Sequence, residues 1–129
     1  MKMQKNEKSV KLHLCDISNN ECLRFIFTGE LTADDAEIAV KEWKKLFENL
    51  GDEKLSLIWD CLNMTGFESK ARIIWQQALK DHKSNIDTVW LITTSGFIKA
   101  GAKLLSTFTK FKMKVVKSEA EIKAAKGLN

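Results

Sequence analysis

The chain has 129 residues, a net charge of +4 and no proline. That length suits one domain with its own core, and the missing prolines exclude Pro-rich linkers and polyproline ligand segments. No apolar run approaches the roughly 18 residues of a spanning helix, and the polar start at 1–8 reads as a flexible arm rather than a signal peptide. A single domain over 9–129, in the cytoplasm, is the expectation.

Val10, Leu12 and Leu14 alternate with Lys11, His13 and Cys15, the pattern of a half-buried strand. Residues 18–21, Ser-Asn-Asn-Glu, signal a turn. Leu23, Phe25 and Phe27 then alternate with Arg24, Ile26 and Thr28, completing an antiparallel hairpin that runs to Leu31. Thr32 is placed to cap the next helix, with Asp34 and Asp35 in its first turn. Ala36, Val40, Trp43, Phe47 and Leu50 form its apolar stripe, and Gly51 is expected to end it.

Residues 54–62 read as a central strand, apolar on both faces at Leu57, Ile58 and Trp59. A loop through Asn63 and Gly66 should follow, with Gly66 supplying an unusual backbone angle. Ser69 opens a second helix that runs to about His82 and buries Ile74, Trp75, Ala78 and Leu79. His82, near the C-terminal end of that helix, is placed where a partly charged imidazole is mildly favourable. Residues 88–94 form another strand, broken by Ser95-Gly96. A third helix then carries Phe97, Gly101, Leu104, Leu105 and Phe108. Residues 112–117 make a short strand whose lysines suit an edge. Residues 118–121, Ser-Glu-Ala-Glu, form a capping box that opens a last short helix.

The order is strand-strand-helix, then strand-helix three times. It predicts an α/β fold: a mixed β-sheet with an N-terminal antiparallel hairpin and then mostly parallel strands, packed with about four helices.

Charge is uneven along the chain. Acids dominate from Glu30 to Glu53, and lysines dominate from Lys99 to Lys126. A basic C-terminal third can face an anionic membrane or an acidic protein. With no arginine and little aromatic interleaving there, nucleic acid is not an expected partner. Cys15, Cys22 and Cys61 form no even framework and read as buried, reduced thiols. His13 and Cys15 share a strand face, but two ligand-type residues without a third do not define a metal site. No cofactor is expected, and there is no G-x-x-x-x-G-K-[ST] or G-x-G-x-x-G to hold a nucleotide.

This order of elements resembles the STAS domain, and within that superfamily the SpoIIAA-like, STAS/Sec14-related group. The runs that carry the resemblance are residues 27–35 (Phe-Thr-Gly-Glu-Leu-Thr-Ala-Asp-Asp), 57–60 (Leu-Ile-Trp-Asp) and 91–97 (Leu-Ile-Thr-Thr-Ser-Gly-Phe). It spans about 9–127. STAS antagonists carry a strand ending in Asp and then Asp-Ser-Ser-Gly at a helix start. On this chain the strand Asp falls on Asp60, and the four motif positions fall on Glu68, Ser69, Lys70 and Ala71. Two of the four keep their chemistry.

The resemblance implies a non-catalytic regulatory module similar to anti-sigma-factor antagonists. Its partner would be a regulatory protein, such as a kinase-like or anti-sigma-factor-like one. Contact would fall on the rim built from Asp60, Asn63, Met64, Thr65, Gly66, Phe67, Glu68 and the loop Thr94, Ser95, Gly96, Phe97. Ser69 is the phosphorylation candidate; as a plain residue it serves as a helix N-cap. Asp60 is expected to fix the following loop through backbone N–H groups or, with Glu68, to hold a cation. Ser95 or Thr94 should cap the third helix. The Sec14 likeness implies an alternative, a carrier of a small apolar or lipid-like ligand in a cavity of several hundred Å3. No catalytic set is recognisable, so an enzyme is not expected. A homodimer remains open.

Overall fold

The computed structural model describes residues 8–17, 20–110 and 112–127. The expected arm, apart from Lys8, and the first half of the hairpin turn, Ser18 and Asn19, lie outside them.

The predicted hairpin forms. Strand β1 (Val10–Ile17) pairs antiparallel with β2 (Asn20–Leu31), with Val10 opposite Phe27 and Cys15 opposite Cys22. Helix α1 (Ala33–Phe47) follows, and the Thr32 hydroxyl accepts the Asp35 N–H at 3.1 Å, the cap its sequence promised. Its buried stripe is Ala36, Ala39, Trp43 and Phe47, with Val40 half-buried beside it. The helix stops at Phe47, earlier than expected; Gly51, with a φ of 61°, belongs to the turn beyond it.

Strand β3 (Leu55–Phe67), helix α2 (Ser69–Asp81), strand β4 (Ile86–Ile92), helix α3 (Gly96–Thr109), strand β5 (Met113–Val116) and helix α4 (Glu119–Gly127) complete the chain. The strands lie in the order β1-β2-β3-β4-β5, and every pair after the first is parallel. This order advances in one direction only. Right-handed crossovers therefore bring α1, α2 and α3 to one face of the sheet. The order never reverses, so the crevice that a switch point would create does not exist here.

Two cores follow. On the covered face Phe25, Leu57, Trp59 and Leu91 meet Trp43, Trp75, Leu79 and Leu105. On the outer face Ile17, Cys22, Ile58, Trp90 and Ile92 pack against Ile122, a buried residue of α4. Successive strand residues alternate between the two, as the pleat requires.

The largest departure from expectation is in β3. Its residues 63–67 were expected as a loop, yet they continue the strand along β2 alone, from Asn63 opposite Thr28 to Phe67 opposite Leu31. Asp60 is the last β3 residue paired with β4. Two register shifts leave extra residues on β3, Thr65 among them, and such bulges bend a strand away from its sheet. Gly66 has no positive φ; the left-handed glycine is Gly29 on β2, across the bulge.

His82 also departs from expectation. It sits at the C-terminal end of α2, but its ring lies 5.1 Å from Trp43 and 5.3 Å from Phe47. Burial holds its pKa below the usual 6.5; Asp81 opposes the shift and Lys44 adds to it. The unfolded chain therefore takes up the proton first. Stability is full above about pH 6.5 and declines as pH falls from there through the lowered folded value. Urea midpoints across this window should slope for the native chain and flatten for His82→Phe. An unchanged slope in the variant would assign the effect to other groups.

Candidate functional site

The β3 extension shapes the rim. It carries Met64 and Phe67 across the mouth of a cleft between α2, α3 and the sheet. Trp59, Cys61, Met64, Phe67, Trp75 and Leu105 are among its lining residues, and its volume is about 50 Å3. Phe67 stacks on Phe97 with ring centroids 5.5 Å apart. On its other flank the Phe67 ring lies so near α3 that a Cβ at Gly101 would stand 2.7 Å from Cζ. Gly101 is therefore the residue that lets the ring approach the helix backbone.

Large apolar groups are left in solvent at this end. Phe97 is 62% exposed and Ile73, on α2, is 58% exposed; Leu62 is about half exposed. The sequence placed Phe97, Gly101 and Leu104 on the third helix together with Leu105. The buried stripe is instead Ile98, Ala102 and Leu105, and Phe97 and Leu104 face out.

Capping explains that phase. The Ser95 hydroxyl accepts the Ile98 N–H at 3.2 Å, and the Thr93 hydroxyl accepts the Ser95 N–H at 3.0 Å. These bonds start α3 at Gly96, so the Ser95 alternative holds and Thr94 is left exposed. Both hydroxyl acceptors serve the loop itself.

Ser69 does not cap α2. The N-cap position is Glu68, which makes no side-chain cap bond to its own helix. Its carboxylate accepts the Ala33 N–H at 2.7 Å, and its N–H donates to the Leu31 carbonyl at 3.0 Å. Glu68 thereby ties the start of α2 to the start of α1. Ser69 becomes the first residue of α2, exposed and next to Lys70. Asn63 and Thr65 are exposed, while Met64, Gly66 and Phe67 are partly covered.

Asp60 stands apart from this group. Its side chain is on the outer face, where Oδ2 meets Arg24 at 2.9 Å and Oδ1 accepts the Leu62 N–H at 3.4 Å. The bond to Leu62 follows expectation; the arginine does not. Arg24 also binds Glu119 at 2.7 Å, joining α4 to the sheet. The Arg24 hydrogen bond holds the Glu119 carboxyl below its usual range. Asp60 and Glu68 thus have different partners and do not converge. On the covered face, burial pushes the Cys61 thiol far up, so it is a packed, protonated group.

The indole N–H groups of Trp59 and Trp75 are buried without a hydrogen-bond partner, and both residues line the cleft. Among the described residues no helix is long and apolar enough to cross a membrane.

A five-stranded mixed sheet with three helices on one face and a rim of this kind defines an α/β fold of the STAS type. The family model described as SpoIIAA-like matches residues 22–126, and the chain belongs to that family. Comparison with curated proteins finds no match. A crystal structure from Shewanella loihica PV-4, described as an uncharacterised protein of the DUF3478 family with a SpoIIAA-like fold, superposes with a TM-score of 0.76. The two share 15% identity, over 93% of this chain and 95% of that one. Such a likeness shows the fold alone.

Proposed function

We propose that this chain is a non-catalytic regulatory module, similar to anti-sigma-factor antagonists, that binds a protein partner at the rim formed by residues 60–71 and 93–97. The observation that carries this reading is the Phe67–Phe97 stack, whose outer ring is 62% exposed beside a bent strand. A rigid aromatic pair at a rim is the kind of anchor that dominates protein contacts. Within the rim, Met64, Phe67 and Phe97 make the contact, while Asp60 braces the strand from behind. A bacterial, cytoplasmic setting belongs to the same reading and rests on the family and on the thiols.

Ser69 is the switch in this proposal. A phosphate there adds nearly two negative charges at a helix start, where free N–H groups tolerate an anion, so the fold persists. The contact surface changes sign locally, and a partner docked on Phe67 and Phe97 is released.

A photo-reactive side chain in place of Phe97 should crosslink a host protein that the same group at Glu42, on α1, does not. Phe97→Glu should then weaken that partner by about 2 kcal/mol, roughly thirty-fold in Kd, with the fold unchanged. Equal crosslinking at both positions, or unchanged affinity, would sink the proposal.

One observation favours the carrier as a second reading: the cleft is apolar, lined by Trp59, Met64, Phe67 and Trp75. At about 50 Å3 the cleft must open, through movement of Phe67, before a lipid-like molecule fits. Native mass spectrometry of protein purified gently from its host separates the two readings, because only a carrier retains an adduct of lipid mass.

A further inference from the structure

Cys15 on β1 and Cys22 on β2 are direct cross-strand neighbours. The ladder sets their geometry. The Thr28 N–H donates to the Ser9 carbonyl at 2.9 Å, which marks that pair as hydrogen-bonded. Hydrogen-bonded and non-hydrogen-bonded pairs alternate along an antiparallel ladder. Stepping along the register from Ser9 and Thr28, the pair Cys15–Cys22 is again hydrogen-bonded. Its Cα atoms then stand about 5.5 Å apart, within the roughly 4.4–6.8 Å that a disulfide spans. The Cβ atoms of a hydrogen-bonded pair, also about 5.5 Å apart, must close by about 1 Å, which strains the bond and makes it easier to reduce.

Both side chains lie on the outer face, in the core beneath α4, whereas Cys61 lies in the core of the opposite face. The sheet separates Cys61 from the pair. Burial raises the Cys15 pKa first, and the charge of Cys22 raises it further, while Arg24 lowers it. The net rise keeps the attacking thiolate scarce at neutral pH, so disulfide closure is slow there and speeds up in alkali. Cys22 is buried and its thiol donates to the Asn20 carbonyl at 3.4 Å; Cys15 is the more accessible of the two.

We propose that Cys15 and Cys22 are a reversible dithiol site, closed to a disulfide by a low-molecular-weight disulfide such as oxidised glutathione. The Cys15 thiolate attacks one glutathione sulfur, forms a mixed disulfide and expels one glutathione thiolate. The Cys22 thiolate then attacks the Cys15 sulfur and expels the second. Two protein thiols lose two electrons and two protons, and the oxidant leaves as two molecules of reduced glutathione. The second step is intramolecular, and orientation within the ladder favours it. Because Cys15 keeps some exposure, a reducing thiol can reverse the bond.

Closure staples the edge strand β1 to β2 beside Arg24, the residue that holds α4. This site lies on the face opposite the proposed rim, so it stands or falls independently of that contact.

The test is native full-length protein treated with oxidised glutathione and read by intact mass and peptide mapping. The expected product has lost two hydrogens and yields a Cys15–Cys22 linked peptide, in the native chain and in Cys61→Ala alike. Cys22→Ser should stop at the glutathione adduct on Cys15. Phenylarsine oxide, which condenses with two adjacent thiols and releases water, should bind one equivalent of the native chain and of Cys61→Ala, but not of Cys15→Ser. A stable glutathione adduct on the native chain, a link to Cys61, or arsenical binding that survives Cys15→Ser would overturn the proposal.

Discussion

Trp43→Ala is expected to cost about 3–5 kcal/mol, the range for removing a large buried aromatic. Total stability of domains this size is on the order of 5–15 kcal/mol, so the variant should be close to unfolding at room temperature. Trp43 is fully buried on α1. Its ring meets Phe25 at 5.1 Å and Phe47 at 6.0 Å, both edge-on, and Trp75 at 5.6 Å. Loss of the indole leaves a cavity between α1, α2 and β2 that helices held by several contacts cannot collapse to fill.

Trp43→Phe separates packing from polarity. The Trp43 indole N–H is buried without a partner, so phenylalanine removes an uncompensated donor along with part of the ring. The loss should be roughly 1–2 kcal/mol, well short of the alanine variant. Urea unfolding followed by far-ultraviolet circular dichroism measures both. If phenylalanine costs as much as alanine, the indole N–H must have a partner in solution.

The contrast between α1 and α3 explains what the sequence can announce. In α1 one stripe is apolar and the facing residues are charged, so the cap at Thr32 and the buried Ala36, Trp43 and Phe47 follow from local pattern. In α3 two stripes satisfy the same spacing: Phe97, Gly101, Leu104 and Ile98, Ala102, Leu105. Periodicity cannot choose between them. The Ser95 cap and the packing of Ile98, Ala102 and Leu105 into the sheet core choose, and that packing depends on residues far away in the sequence.

The β3 extension was hidden for a related reason. Asn63 and Gly66 are loop formers by propensity, yet β2 is long enough to offer them a partner as far as Leu31. Local signals end the strand at the point where β4 stops, and the long neighbour extends it. Glu68 in turn has the position of a cap, but the Ala33 N–H has taken its carboxylate. Asn63 to Glu68 and Thr94 to Phe97 lie at one end of the sheet, whereas Asp60, which sequence proximity groups with them, has its side chain on the other face. An arginine inside an apolar strand, as at Arg24, calls for a carboxylate nearby, and Asp60 lies on the adjacent strand.

Arg24→Met should release α4 from the sheet and cost about 2 kcal/mol, the scale of charged hydrogen bonds lost from a half-buried site. Methionine keeps the apolar stem, so the packing beneath the guanidinium is largely retained. What disappears is the bridge between two carboxylates, Asp60 at 2.9 Å and Glu119 at 2.7 Å. The two ends are unequal. Asp60 is well covered and loses its counter-charge, whereas the Glu119 side chain is 38% exposed and regains water easily. Glu119→Gln should therefore cost well under 1 kcal/mol.

Acid should reproduce part of the Arg24 effect. The folded Glu119 carboxyl is held below its usual value, chiefly by the Arg24 hydrogen bond. Its contribution is present above the ordinary carboxylate pKa and is lost as pH falls through the lowered folded value. Hydrogen exchange distinguishes a latch from a general loss of stability. In Arg24→Met the amides of α4 should exchange faster relative to those of α1, because the helix loses its charged tie to the sheet and keeps the apolar one, Ile122 against Ile58, Trp90 and Ile92. Uniform acceleration in both helices would show that Arg24 supports the sheet as a whole and that α4 is held by its apolar side chain.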